Sequence, residues 1–315
     1  MQKDDISQAV FELRAGNLVA IPTETVYGLG ADARNPVAVR KIFLAKQRPS
    51  DHPVIVHLHD LSQLPEWTRD VSDEALLLAN TFWPGPLTLI LKKAPTVHEI
   101  ITGGQDTIGI RIPNHPVALA VLKAFGSGIA APSANRFGRI SPTTATAVRE
   151  ELGEALHLIL EGGQCAVGLE STIVDMSGST PVILRPGMIT AGQIEAVLKA
   201  PLAHHKNNAP RVSGSFHSHY APVTKTLLCS TEQIDVLLTK PKENIAILAR
   251  TFSTDHPSVI RMPADPLHYA HDVYQVLREL DKKNLQEIII EQVPDTIEWA
   301  AIRDRLTRAA HSIIR

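Results

Sequence analysis

The stretch TIGIRIPNHPVALAVLKAFGSGIAAPS, residues 107–133, decides the fold class. TIGIRIP reads as a strand that stops at Pro113, residues 116–125 as a helix, and GIAAPS as a second strand that stops at Pro132. The same alternation runs outward in both directions. Upstream lie a helix over 5–15 with Ile6, Val10 and Leu13 on one face, the strand LVAIPT ending on Pro22, a helix opened by Asn35 and Pro36, the strand PVIVHL, a helix capped by Ser72 and the strand LTLILKK. Downstream follow a helix over about 143–152, strands near 156–160 and 171–176, the segment VILRP and a helix over 190–199. The reading is an α/β domain over residues 1–200 whose strands exit through prolines, which fix the direction of the loops that follow.

From Pro201 to Pro222 the periodicity disappears, and Pro, Ser, His and Asn dominate, the composition of a linker. Beyond it, KTLLC, NIAILA, SVIRM and EIIIE read as short strands separated by helical stretches, among them 267–280 and 298–310. The expected organisation is therefore a first domain over 1–200, a linker over 201–223 and a smaller parallel α/β domain over 224–315.

The chain has 315 residues, 44% of them hydrophobic and 20% charged, with 31 Lys+Arg against 33 Asp+Glu and a formal charge of -2. That composition excludes a disordered chain, and the charge argues against a protein that coats nucleic-acid phosphates. Cys165 and Cys229 are too far apart for zinc-finger spacing, and the polar N-terminus lacks the apolar core of a signal peptide. The expected location is the cytoplasm, with no membrane partner.

No GxxxxGK[ST] loop, GxGxxG, HExxH or GxSxG motif occurs. Polar clusters follow the strands instead. PTETVYGLGADA (22–33) brings hydroxyls and the Glu24 carboxylate, with Gly28 and Gly30 permitting close backbone approach; read alone, it is equally a capped turn. KQRPSDHP (46–53) holds Lys46 and Arg48, a point charge and a bidentate fork suited to polyphosphate, or else a solvated pair. Arg111 sits among isoleucines within a strand, lining a cavity or facing solvent; if buried, it requires an anionic partner. APSANRFGRISPT (131–143) and GLESTIVD (168–175) complete the set with Ser133, Asn135, Ser141 and Ser171, followed by Arg185. His57, His59 and the linker residues His204, His205, His217 and His219 are read as solvated or packed rather than metal-bound. Hydroxyls and cations with few bases suit a reaction driven by positioning and charge neutralisation, such as attack on a phosphorus of ATP.

Taken in order, PTETVYGLGADA, KQRPSDHPVIVHL, FWPGPLTLIL, TIGIRIP, APSANRFGRISPT and GLESTIVD resemble the motifs of the YrdC-like threonylcarbamoyl-AMP synthases, and the C-terminal DRLTRAA is similar to the long two-domain form. The resemblance implies a twisted mixed sheet with helices and an open cavity, joined to a smaller Rossmann-like domain. It implies synthesis of L-threonylcarbamoyl-adenylate and pyrophosphate from L-threonine, bicarbonate or CO2, and ATP carrying Mg2+, with no dedicated protein site for the metal. The product would serve modification of the adenosine next to the tRNA anticodon, through tRNA or a downstream transferase complex.

By the same resemblance, Thr25, His57, Arg111, Ala131 and Ser171 would contact threonine. Lys46, Arg48, Ser133 and Asn135 would surround the phosphates and nucleotide, with Lys46 and Arg48 as the catalytic cations. His52, Thr107, Ser141, Arg185 and, from the linker, Tyr220 would add further ATP contacts. The linker departs from the family's PGMKYRHYAP-like run: here it reads SGSFHSHYAP, with Ser213 in place of proline and Ser218 in place of arginine. Two other readings compete: a double-stranded RNA or tRNA-binding module, and a carbamoyl-adenylate enzyme of hydrogenase maturation, whose zinc module the cysteine count excludes.

Overall fold

The computed structural model describes residues 3–203, 209–214, 220–239, 244–251 and 256–313. The chain divides into two compact units, residues 1–137 with 142–215, and residues 138–141 with 216–315.

In chain order the first unit contains α1 (Lys3–Arg14), β1 (Val19–Ile21), β2 (Gly28–Asp32), α2 (Pro36–Lys46), β3 (Ile55–His57), α3 (Asp73–Phe82), β4 (Leu87–Lys92), α4 (Glu99–Thr102), β5 (Thr107–Arg111), α5 (Pro116–Phe125), β6 (Ile129–Ala130), α6 (Ala145–Leu152), β7 (Leu158–Ile159), β8 (Thr172–Asp175), β9 (Val182–Arg185) and α7 (Ala191–Leu198). Local chemistry sets the helix ends. Asn35 Oδ1 accepts from Val37 and Ala38 amides at 3.0 and 3.2 Å, Pro36 opens α2, and Gln47 in the left-handed region (φ 53°) closes it. Ser72 caps α3 through the Ala75 amide at 3.2 Å.

The described strands form one nine-stranded sheet in the order β7-β1-β2-β6-β3-β5-β4-β8-β9. It is mixed: β3 runs parallel to β5 but antiparallel to β6, so the strands of residues 107–133 are separated by β3 and point in opposite directions. The glycine-containing stretch read as a polar loop includes a buried strand, β2. Gly30 is there because a Cβ would meet Ile21 Cδ1 at 2.8 Å and Val19 O at 3.0 Å; the close approach is that of the neighbouring strand β1. One apolar core joins Leu29, Ile42, Val56, Leu78, Leu89 and Ile110; a second packs Val10 and Leu13 of α1 against Val121 and Leu122 of α5.

The second unit contains β10 (Lys225–Cys229), α8 (Thr231–Thr239), β11 (Ile245–Ala249), β12 (Val259–Arg261), α9 (Pro266–Asp281), β13 (Glu287–Glu291), α10 (Ala300–Ala309) and β14 (Ser312–Ile313). Its strands are all parallel, in the order β12-β11-β13-β10-β14. Tyr269, Val273 and Leu277 of α9 are buried as their spacing predicts, while Tyr274 and Leu280 join them and Val276 is only half-buried. Among the described residues no helix is long and apolar enough to cross a membrane.

Candidate active site

Arg111 ends β5 and His57 ends β3, in direct register across the two parallel strands. Arg111 is buried, as is its neighbour. Its Nη1 donates to Thr25 Oγ1 at 2.8 Å and its Nε to Gly85 O at 3.2 Å, and Nη2 lies 2.7 Å from Glu24 Oε2. The anionic partner a buried arginine requires is thus supplied by Glu24, from a loop 87 positions away in sequence (111 minus 24). Burial, followed by the Arg111 charge, holds the His57 imidazole well below its ordinary pKa of 6.5.

Lys46, the last residue of α2, is also buried. Its Nζ donates to Ser133 O at 2.5 Å and Asn135 O at 2.6 Å, so it anchors the APSAN loop by its backbone. The Phe137 amide returns to Lys46 O at 2.8 Å. Burial and then Arg48 push the Lys46 pKa well below 10.5, with Glu151 and Glu170 acting in the opposite sense. The APSAN loop is also stitched to the first motif: Leu29 donates to Pro132 O at 2.7 Å, Ala134 to Tyr27 O at 2.8 Å, and Gly28 bridges Ser133.

Arg48 and Lys46 diverge. The left-handed turn at Gln47 sends Arg48 toward Pro53 O (2.8 Å) and Ser213 Oγ (3.1 Å), so KQR is neither a solvated pair nor two charges on one point. Ser213 Oγ donates onward to Pro53 O at 3.0 Å, and Ser213 O accepts from Arg185 Nη1 at 3.0 Å. Arg185, buried at the end of β9, grips Ser171 through its carbonyl (2.9 and 3.1 Å) and hydroxyl (3.1 Å); Ser171 Oγ also lies 2.7 Å from Thr88 Oγ1. His52 packs against Phe137 with ring centroids 5.5 Å apart, and burial followed by Arg48 lowers its pKa below 6.5.

The chain has close relatives across its length. Residues 12–187 match the Sua5/YciO/YrdC family model, described as "Telomere recombination", and residues 189–311 match the model described as "Threonylcarbamoyl-AMP synthase, C-terminal domain". The chain is 41% identical to the threonylcarbamoyl-AMP synthase of Bacillus subtilis, covering 97% of this chain and 92% of that protein, and 36% identical to that of Pyrococcus abyssi, covering 95% and 92%. The crystal structure of P. abyssi Sua5 complexed with L-threonine superposes with a TM-score of 0.91 at 34% identity, covering 100% of this chain and 97% of that one. The chain belongs to the threonylcarbamoyl-AMP synthase family.

Within this family framework the residues singled out from sequence fall into three groups of the first unit. Thr25, Arg111 and His57 form one; Lys46, Ser133 and Asn135 a second; Arg48, Arg185 and Ser171 a third, joined through Ser213. Ala131 is fixed by its amide to Ile55 O at 3.0 Å. Thr107 opens β5 whereas Arg111 closes it, so the predicted residues spread along a strand and do not gather at one strand end. Ser141 and Tyr220 are grouped with the second unit. There Tyr220 is buried, in the left-handed region (φ 62°), with the Arg305 guanidinium 5.0 Å from its ring centroid and the Tyr274 ring stacked at 6.0 Å. The linker residues His204, His205, His217, Ser218 and His219 lie outside the described residues.

Two residues gain weight from the structure. Glu24 was visible only as a carboxylate in a polar loop, because a contact between distant motifs leaves no local pattern. Ser213 was marked by its departure from the family's proline, and its hydroxyl makes contacts that a proline cannot make.

Proposed function

We propose that this protein joins L-threonine, bicarbonate or CO2, and ATP into L-threonylcarbamoyl-AMP and pyrophosphate in the cytoplasm. The product would supply the threonylcarbamoyl group for the adenosine next to the anticodon of tRNA, through a downstream transferase. One observation carries the reading most directly: in a chain of this family, Arg111 is buried in register with the buried His57 and with Thr25 on its guanidinium, which suits capture of an amino acid by its carboxylate. A relative at 34% identity has been crystallised with L-threonine.

The chemistry needs no protein nucleophile. The threonine amine attacks CO2, or bicarbonate with loss of water, and its proton leaves to solvent or a base. A carbamate oxygen then attacks the α-phosphorus of ATP, and the bond to pyrophosphate breaks. Lys46 and Arg48 would bear the charge that builds on the phosphates, with Arg185, Ser133 and Asn135 fixing the nucleotide. His52 and Thr107 would add contacts to ATP, and Ala131 and Ser171 to threonine. Magnesium enters as part of the ATP substrate. Lys46, Arg48 and Arg185 are cations, which suit phosphate oxygens and leave the metal to the phosphates and water. Pyrophosphate release from ATP and bicarbonate should depend on L-threonine and need no RNA. Release that requires RNA, or ignores threonine, would overturn this reading in favour of an RNA-binding role or a plain ATPase.

A further inference from the structure

The Glu24–Arg111 ion pair is buried on both sides, with 8% of the Glu24 side chain and 5% of the Arg111 side chain exposed. Its 2.7 Å contact is not aligned as a hydrogen bond, and neither Glu24 carboxylate oxygen has a hydrogen-bond partner among the described residues. The carboxylate therefore acts on the guanidinium through its charge.

The adjacent Thr23 hydroxyl has a fixed direction. Thr23 Oγ1 lies 2.6 Å from Val26 O, a carbonyl that can only accept, so the Thr23 proton is committed there. Thr23 Oγ1 also accepts from the Thr25 and Val26 amides at 3.2 and 3.3 Å and lies 2.9 Å from Thr25 Oγ1. Thr25 Oγ1 accepts from Arg111 Nη1 at 2.8 Å. This corner thus joins one cation, one carboxylate and the Thr25 hydroxyl, all buried.

An anion approaching Arg111 alone meets a charge that Glu24 has already largely cancelled. A zwitterion loses less, because its ammonium is favoured by the same carboxylate. We propose that Glu24 is a positioning residue that sets substrate class: as the counter-ion of Arg111 it confines the site to amino acids bearing their own ammonium and rejects carboxylates of similar shape that lack it. This rests on the reading that Arg111 holds the substrate carboxylate.

The test compares the KM for L-threonine with the inhibition constant of 3-hydroxybutyrate, which has the same carbon skeleton without the amine, in pyrophosphate-release assays. In the wild type the inhibition constant should exceed the threonine KM by about 100-fold or more; in Glu24→Gln that ratio should fall about tenfold or more, since the uncompensated guanidinium now favours any carboxylate. Glu24→Asp, with the charge kept but drawn back by one methylene, should fall between the two. A purely structural role would weaken both ligands together and leave the ratio unchanged. An unchanged ratio in Glu24→Gln overturns the proposal, as does strong inhibition of the wild type by 3-hydroxybutyrate. If Glu24→Gln does not fold, the Glu24→Asp ratio decides, and a wild-type ratio there overturns it. Absence of any threonine-dependent pyrophosphate from the wild type would instead refute the underlying functional reading.

Discussion

His57 stands beside Arg111 in the register of two parallel strands, each the closing residue of its own. Burial, then this neighbouring cation, disfavours the imidazolium, so His57 is lowered well below 6.5 in the folded chain. The unfolded chain, with an ordinary histidine pKa of about 6.5, binds the proton more readily. The stabilising contribution is therefore complete above that value and is lost as pH falls below it toward the folded pKa. His52 and His115, also lowered chiefly by burial, act in the same direction. The thermal midpoint should fall between about pH 7 and pH 5, and His57→Gln should flatten that fall. An identical slope in the variant would contradict the assignment.

Lys46 holds two backbone carbonyls of the APSAN loop while also lying in the proposed phosphate site. Lys46→Ala leaves both acceptors without their donor and should cost about 1–3 kcal/mol in urea unfolding. It should also lower threonine-dependent pyrophosphate release by about 100-fold or more. Arg48→Ala should lose comparable activity with a smaller stability cost, because Arg48 is only half-buried. Near-normal turnover in either variant is the result that would count against their catalytic role.

Asn35 separates helix stability from chemistry. Its side chain satisfies two amides at the start of α2, ten residues before Lys46 in the helix that ends there. Asn35→Ala should destabilise the protein by about 1 kcal/mol. Its kcat should stay near wild type; a collapse of kcat at full folding would show that α2 is positioned more delicately than its caps indicate.

Gly187 follows Arg185 by two residues, and a Cβ there would sit 2.3 Å from the Thr172 amide nitrogen and 2.7 Å from the Ser171 carbonyl carbon. Relieving that overlap must move the backbone that Arg185 grips. Gly187→Ala should cost about 1–3 kcal/mol and raise the KM for threonine or ATP, read by unfolding and steady-state kinetics together. Full stability with unchanged KM would mean that the turn shifts freely.

What was legible in the sequence followed from local rules. Asn35-Pro36 and Ser72 announced their helices because caps are short-range chemistry, and the strand TIGIR announced itself by its isoleucines. The strand β2 did not, because GLGAD has no β-branched residue and forms a strand only where β1 and β6 accept its bare backbone. Hydroxyls and cations marked the site, yet their partners were unreadable: Lys46, Arg48 and Arg185 each end on backbone carbonyls, which no side-chain pattern reveals. Glu24 and Arg111 meet only through tertiary folding, so the requirement for an anion was visible and its identity was not.

The most direct measurement of the central claim follows carbon and phosphorus into one product. The protein is incubated with 13C-bicarbonate, L-threonine and ATP, and the nucleotide products are weighed by mass spectrometry. An adenylate carrying both the threonine and one 13C atom should form together with pyrophosphate and be absent when threonine is omitted. AMP or ADP without the labelled adenylate would contradict that claim.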